Sequence, residues 1–207
     1  MAYVYAAILG VVQGVAEFLP ISSSGHLVIA QALLSALAAA ELPAWSKGAT
    51  MNVALHFGTL LSIAVVYFKD LISALKNLRL LLLIVIASFP VGVIGLLFKD
   101  QIEASFENPM AAGCLLLVTA MFLLIAKRLQ SGRLAMEQMP IWVAIVIGVF
   151  QAIAILPGIS RAGSTIAAGL TCGVKRADSA KFSFLIAVPA IGGATLLKLL
   201  DLIRGKE

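Results

Sequence analysis

Charge is what this 207-residue sequence has least of. Asp, Glu, Lys and Arg together make up 12% of it, against roughly 25% in a soluble domain. With 61% hydrophobic residues and a mean hydropathy of +1.06, the composition excludes an ordinary soluble fold and describes an integral membrane protein. Cysteine is almost missing: Cys114 lies inside an apolar run and Cys172 near a helix end, so neither a disulfide framework nor a metal cluster is indicated. The first five residues contain no Lys or Arg, and no small-residue cleavage site precedes the first polar motif, so a removable signal peptide is not expected. Alternating ten-residue segments are also missing, which excludes a transmembrane barrel. The net charge of +5 does not describe a nucleic-acid patch, because the Lys and Arg residues cluster in short loops between apolar runs, where they set topology.

Apolar runs at 51–68, 80–98, 110–126 and 182–200 each approach the roughly 20 residues that a helix needs to cross the hydrocarbon core. Two further segments are shorter and broken. The first has an apolar arm at 4–19, a stop at Pro20, a Ser22-Ser23-Ser24-Gly25-His26 turn and a second arm at 27–40. The second has an arm at 141–156, a Pro157-Gly158 break and an arm resuming at 164–174. Both read as helical hairpins that dip into the bilayer and return, with the broken backbone buried in protein or lining a water-filled cavity. The stretch from Gln13 to His26 aligns without a gap with the stretch that begins at Gln151, 138 residues later.

Three crossings between the hairpins are an odd number, so the second hairpin enters from the opposite face. The expected fold is therefore an all-α polytopic membrane protein, an inverted-topology repeat with two re-entrant helical hairpins, which places a site where the broken helices meet. The first repeat spans 1–130 (hairpin 4–40 plus three transmembrane helices). The second spans 138–207 (hairpin 141–174 plus one). Loop charge gives the orientation: 69–79 carries Lys69, Lys76 and Arg79, and 127–140 carries Lys127, Arg128 and Arg133, whereas 99–109 holds Asp100, Glu103 and Glu107 against one lysine. Positive-inside logic puts the first two, and Lys175, Arg176 and Lys181, in the cytoplasm, and the 41–50 loop and the mouth of the first hairpin outside. The second repeat reads as incomplete at its C-terminus. With 80–126 expected to pack around the first hairpin, one flank of the 141–174 hairpin should be exposed, leading to a homo-oligomer or to lower stability.

Polar residues inside these segments carry the chemistry. Glu17 sits one helical turn after Gln13, ahead of the Pro20 break, and an ionisable group in a membrane segment is a functional hypothesis by default. Ser22, Ser23, Ser24 and Gly25 supply hydroxyls and backbone N–H groups where a new helix begins, a place suited to phosphate; plain N-capping is the competing account of any single serine. His26 could be nucleophile, general acid or base, or metal ligand. His56, in an apolar helix, reads as an interhelical contact. Arg161 offers five donors that match phosphate oxygens, and Gly158, Ser160, Gly163, Ser164 and Thr165 around it add donors or allow close backbone approach; an ion pair with Glu17 and nothing else is the alternative.

Glu17-Phe-Leu-Pro-x-Ser-Ser-x-Gly-His26 and Pro157-Gly-x-Ser-Arg161, in a duplicated hydrophobic chain, resemble the bacterial undecaprenyl-pyrophosphate phosphatase family, also named bacitracin-resistance protein BacA or UppP. The resemblance covers essentially the whole chain. It implies a multi-pass inner-membrane enzyme that hydrolyses a polyprenyl diphosphate to the monophosphate for cell-wall synthesis, with the lipid and the bilayer as its partners and no nucleic acid. It also implies a divalent metal, Mg²⁺ or Ca²⁺; Glu17 would act as a base or as a ligand to that metal. Two departures stand out: Ala162 replaces the usual Ser after Arg, and the chain is about two helices shorter than the family's usual length. Residues and resemblance together suggest Glu17, Ser23, His26 and Arg161 as catalytic, with Gln13, Ser22, Ser24, Gly158, Ser160, Gly163, Ser164 and Thr165 binding substrate. Ser23 and His26 both remain candidates for the nucleophile. The reading from another class is a transporter or flippase for polyprenyl phosphate or another anion, since inverted repeats with broken helices are common in transporters.

Overall fold

The computed structural model describes residues 2–37 and 48–204. The 41–50 loop, which the charge argument placed outside, falls mostly beyond the described residues. Among these residues ten α-helices follow one another: α1 (Ala2–Phe18), α2 (Ser23–Leu37), α3 (Gly48–Val66), α4 (Phe68–Lys76), α5 (Leu78–Leu97), α6 (Lys99–Ser105), α7 (Pro109–Arg128), α8 (Ile141–Ile153), α9 (Arg161–Thr171) and α10 (Arg176–Ile203). Among the described residues a 3₁₀ turn lies at Met136–Gln138. No strand forms among the described residues; Leu134 and Val174 make one isolated bridge. Leu78–Leu97, Pro109–Arg128 and Arg176–Asp201 are long and apolar enough to cross a bilayer, and a fourth candidate is the pair Val53–Val66 and Phe68–Lys76, bent by 76°.

Local chemistry sets the helix ends. Asn77 caps α5 by accepting from the Leu80 N–H, and Asn108 caps α7 by accepting from Ala111 with Pro109 just inside, where its missing N–H costs nothing. Lys127 and Arg128 close α7, favourably placed against the helix dipole. Two segments read as loops are helical. The 69–79 stretch is mostly α4, and α6 occupies much of 99–109; their charges conceal short helices, α4 with an apolar side that buries Ala74.

The largest core forms where Leu80, Leu83 and Ala87 of α5 meet Val143 and Ile147 of α8 and Phe182 and Leu185 of α10. The α5 and α8 backbones approach closely at Gly148, where a Cβ would lie 2.7 Å from the Ala87 carbonyl oxygen, the kind of small-residue contact on which helix packing in lipid relies. A second cluster joins Ile63 of α3 to Phe184, Ala187 and Ile191 of α10. Outward-facing Val65, Phe89, Leu117 and Leu199 are exposed, as lipid-facing residues are. The packing corrects the expected distribution of the long helices. α5 lies along α8, and α7 lies against both α2 and α9, so the long helices of 80–126 pack on both hairpins and not on the first alone, while α8 still presents an exposed stripe of Ile141, Ile145, Val149 and Ile153. The more open arm is α1, which packs chiefly on α2 and α3 and leaves Val4, Val11 and Val15 exposed.

The two hairpins, α1–α2 and α8–α9, touch at their breaks. A Cβ on Gly25 would lie 2.7 Å from the Gly158 Cα, and one on Gly163 would lie 3.0 Å from the Pro20 carbonyl oxygen. These two contacts exchange under the 138-residue offset, as do the caps in which Ser22 accepts from Gly25 N–H and Ser160 accepts from Gly163 N–H. Replacing Gly25 by Ala should destabilise the protein by about 1–3 kcal/mol, the usual effect of overpacking, because backbone stands in the way. Gly14→Ala, with nothing within 4 Å of its added carbon, is the control. Equal melting temperatures for the two variants would contradict the close crossing.

Candidate active site

The breaks are tighter than the arms read from sequence. α2 starts at Ser23, not near Leu27, and α9 starts at Arg161, not at 164. The first turn is made by Ser22 in the left-handed region (φ 70), uncommon for a residue with a side chain. In the second, Gly158 has φ 105, and a Cβ there would lie 2.4 Å from the Ala112 carbonyl oxygen, so only glycine fits. Thr119 of α7 secures this turn: its hydroxyl donates to the Gly158 carbonyl at 2.6 Å and accepts from the Ser160 N–H at 2.8 Å. Backbone groups left over by the break are thereby satisfied away from water.

Glu17, 6% exposed, lies at the crossing and is surrounded by donors. Arg161 Nη2 donates to Oε1 at 2.5 Å. Ser23 Oγ donates to Oε2 at 2.5 Å, and Gln13 Nε2 to the same oxygen at 3.1 Å. His56 Nε2 comes within 3.5 Å of Oε2. The guanidinium is steadied from the other side, where Nη1 donates to the Ser183 carbonyl at 3.3 Å. One carboxylate thus holds a serine hydroxyl of its own hairpin on one oxygen and a guanidinium of the other hairpin on the second.

These groups line a cavity of about 560 Å³, within the range of roughly 300–1,000 Å³ typical of small-molecule sites. Ser22, Ser24 and Ser160 line it as well. α2 and α9 both begin at this wall, so two positive helix ends converge on it. The remaining expected site residues stand back. Gln13 is buried behind Glu17. Gly158 and Gly163 serve the crossing. Ser164 donates to the Ser160 carbonyl at 2.8 Å, and Thr165 to the Arg161 carbonyl at 2.7 Å. His26 does not line the cavity; its Nδ1–H donates to the Ser22 carbonyl at 2.7 Å. His56, read as an interhelical contact, is one, but inside the cavity and beside Glu17.

Sequence reasoning did not single out Thr119, Ser183 or Gln151. Only Gln151 carried a usable signal, since it answers to Gln13 in the internal alignment. At the far end of the cavity, Lys99 pairs with Asp201 and Lys198 with Glu103 at 3.6 Å. The hydrogen bond with Asp201 raises the Lys99 pKa above the usual lysine value.

The donor set does not fit a divalent metal held by the protein alone. Both Glu17 oxygens already accept from cationic or hydroxyl donors, and among the described residues no three His, Cys, Asp or Glu side chains converge. What the arrangement offers is a hydroxyl aligned on a carboxylate, with a fixed cation beside them. That suits attack on an electrophile that carries negative charge.

Comparison with known proteins gives the chain its relatives. The chain is 45% identical over 198 residues to an undecaprenyl-diphosphatase of Rhodopirellula baltica, covering 95% of this chain and 74% of that protein. It is 38% identical over 221 residues to one from Methanosphaera stadtmanae, covering 95% and 77%, and 41% identical over 208 residues to undecaprenyl-diphosphatase 4 of Bacillus cereus, covering 100% and 77%. The sequence profile described as bacitracin resistance protein BacA matches residues 6–207, and with nearly every residue accounted for, the chain belongs to the BacA family.

Proposed function

We propose that this chain is an undecaprenyl diphosphatase, hydrolysing the lipid diphosphate to undecaprenyl phosphate and inorganic phosphate and so returning the carrier to peptidoglycan synthesis. The observation that carries the reading is the contact of Ser23 with Glu17 and of Glu17 with Arg161 at the cavity wall, where two helix N-termini point. Phosphoryl transfer needs chiefly positioning and charge stabilisation, and those are what this wall supplies.

Ser23 is the better-placed nucleophile, because it lines the cavity and already donates to a carboxylate, whereas His26 spends its Nδ1–H on the Ser22 carbonyl. Its Oγ attacks the terminal phosphorus as its proton passes to Glu17. The bond from that phosphorus to the bridging oxygen breaks, and undecaprenyl phosphate leaves. Water then attacks the phosphoserine, inorganic phosphate departs and Ser23 regains a proton. Arg161 and the N–H groups of α2 and α9 balance the charge on the phosphoryl oxygens throughout. The divalent ion that the family resemblance implies would enter with the diphosphate, since Mg²⁺ is commonly bound through one or two carboxylates plus substrate phosphates. Purified protein should release phosphate from undecaprenyl diphosphate and lose that turnover in EDTA. No phosphate release would refute the reading, and undiminished turnover in chelator would remove the metal from it.

The same reading sets the protein in the bacterial cytoplasmic membrane as an inverted repeat of two re-entrant hairpins, the cavity opening outward. Lys69, Lys76, Lys127 and Arg128 then face the cytoplasm, and Asp100 and Glu107 face outside. A cysteine at Glu107 should react with an impermeant maleimide on intact cells, and one at Lys76 only after the inner face is opened. The reverse pattern would invert the orientation.

A further inference from the structure

The cavity runs well beyond the reacting groups, passing between α5 and α10 as far as Lys99 and Asp201. Three glycines line it, Gly92 and Gly95 on α5 and Gly193 on α10. Helix packing does not call for them. A Cβ at Gly92 or Gly193 would meet no atom within 4 Å, and one at Gly95 only the end of the Ile155 side chain at 3.4 Å. Gly25, Gly148 and Gly158 are different, since a Cβ on any of them would strike backbone. Glycine is the poorest helix former after proline, so three of them within α5 and α10, Gly95 in the last turn of α5, keep one space open at a cost to the helices.

The two ends of the space differ. At one end stand Glu17, Ser23, Arg161 and Gln151. Gln151 is 1% exposed; its Nε2 donates to the Ala87 carbonyl at 3.2 Å, and its Oε1 has no hydrogen-bond donor, leaving an acceptor suited to a protonated phosphate or to water carried in with it. At the other end the Lys99–Asp201 and Lys198–Glu103 pairs tie α6 to α10. Between them the wall is mainly apolar, and the exposed leucines Leu96, Leu196 and Leu197 form part of it.

We propose that Gly92, Gly95 and Gly193 hold open a groove for the first isoprene units of the substrate chain, and that these residues set the enzyme's preference for long prenyl diphosphates. The inference rests on the diphosphatase reading. The groove's continuity with the reacting groups names its occupant, since the diphosphate and the chain are parts of one molecule. Closer backbone approach lets the flat isoprene units lie against the helices, and a side chain at any of the three positions would take their place.

The test measures KM and kcat for undecaprenyl diphosphate and for a five-carbon prenyl diphosphate, in the same detergent, with wild-type protein, Gly92→Leu, Gly193→Leu and Gly193→Ala. The leucine variants should raise KM for the undecaprenyl substrate roughly tenfold or more, the scale of a blocked apolar contact, and leave the five-carbon substrate unchanged. Gly193→Ala adds a methyl group to open space and should fold normally, shifting the ratio of the two KM values in the same direction. Equal losses on both substrates, or no change on either, would overturn the groove. Wild-type protein that released phosphate from neither substrate would instead refute the diphosphatase reading.

Discussion

Lysine in place of Arg161 should lower the rate of phosphate release by about 10²–10³, the loss typical of one transition-state contact, in a protein that still folds. An ammonium keeps the charge but lacks the two separate nitrogens with which the guanidinium reaches Glu17 and the Ser183 carbonyl, and it cannot present a planar fork to phosphate. The loss should fall on kcat more than on KM, since the contact tightens as the phosphoryl group transfers. Near-wild-type turnover would reassign Arg161 to the purely structural ion pair that the sequence left open.

Glu17→Gln should be at least as damaging, about 10²–10⁴ in rate, the range for removing a general base. The amide is nearly isosteric and can still accept from Ser23, but it does not take up the serine proton. It also leaves the Arg161 guanidinium without its counter-charge, so the melting temperature should fall as well. A Gln13→Ala comparison separates the two effects. It removes only the 3.1 Å bond to Oε2, leaves both charges in place, and should lower stability while retaining much of the activity. If Glu17→Gln melted like wild type and turned over normally, the carboxylate would have no role in the chemistry.

How much of this was legible in the sequence depended on local contrast. Glu17, the serine cluster and Arg161 stand out because each interrupts an apolar run beside a proline or glycine, and the structure brings Glu17, Ser23 and Arg161 together. His26 shares that contrast yet turns to the Ser22 carbonyl, because α2 begins four residues earlier than the apolar pattern suggests and puts the ring on the first helical turn. His56, Thr119, Gln151 and Ser183 sit singly in apolar helices, where a lone polar residue gives no hint of its partner; their contacts depend on how α3, α7, α8 and α10 pack. α4 and α6 were hidden for the opposite reason, since their charges made helical segments look like loops. The assignment of α5 to the second hairpin follows from the Gly148–Ala87 approach, a contact between residues 61 positions apart in sequence that no local pattern announces.

The central claim is that residues from two hairpins, distant in sequence, act as one phosphoryl-transfer centre. A double-mutant cycle on phosphate release from undecaprenyl diphosphate tests it most directly, comparing wild type, Glu17→Gln, Arg161→Lys and the double variant under single-turnover conditions. Groups that act as a unit lose their effect together, so the double variant should be about as slow as the slower single one. Losses that multiplied, each substitution acting as though the other were absent, would contradict it.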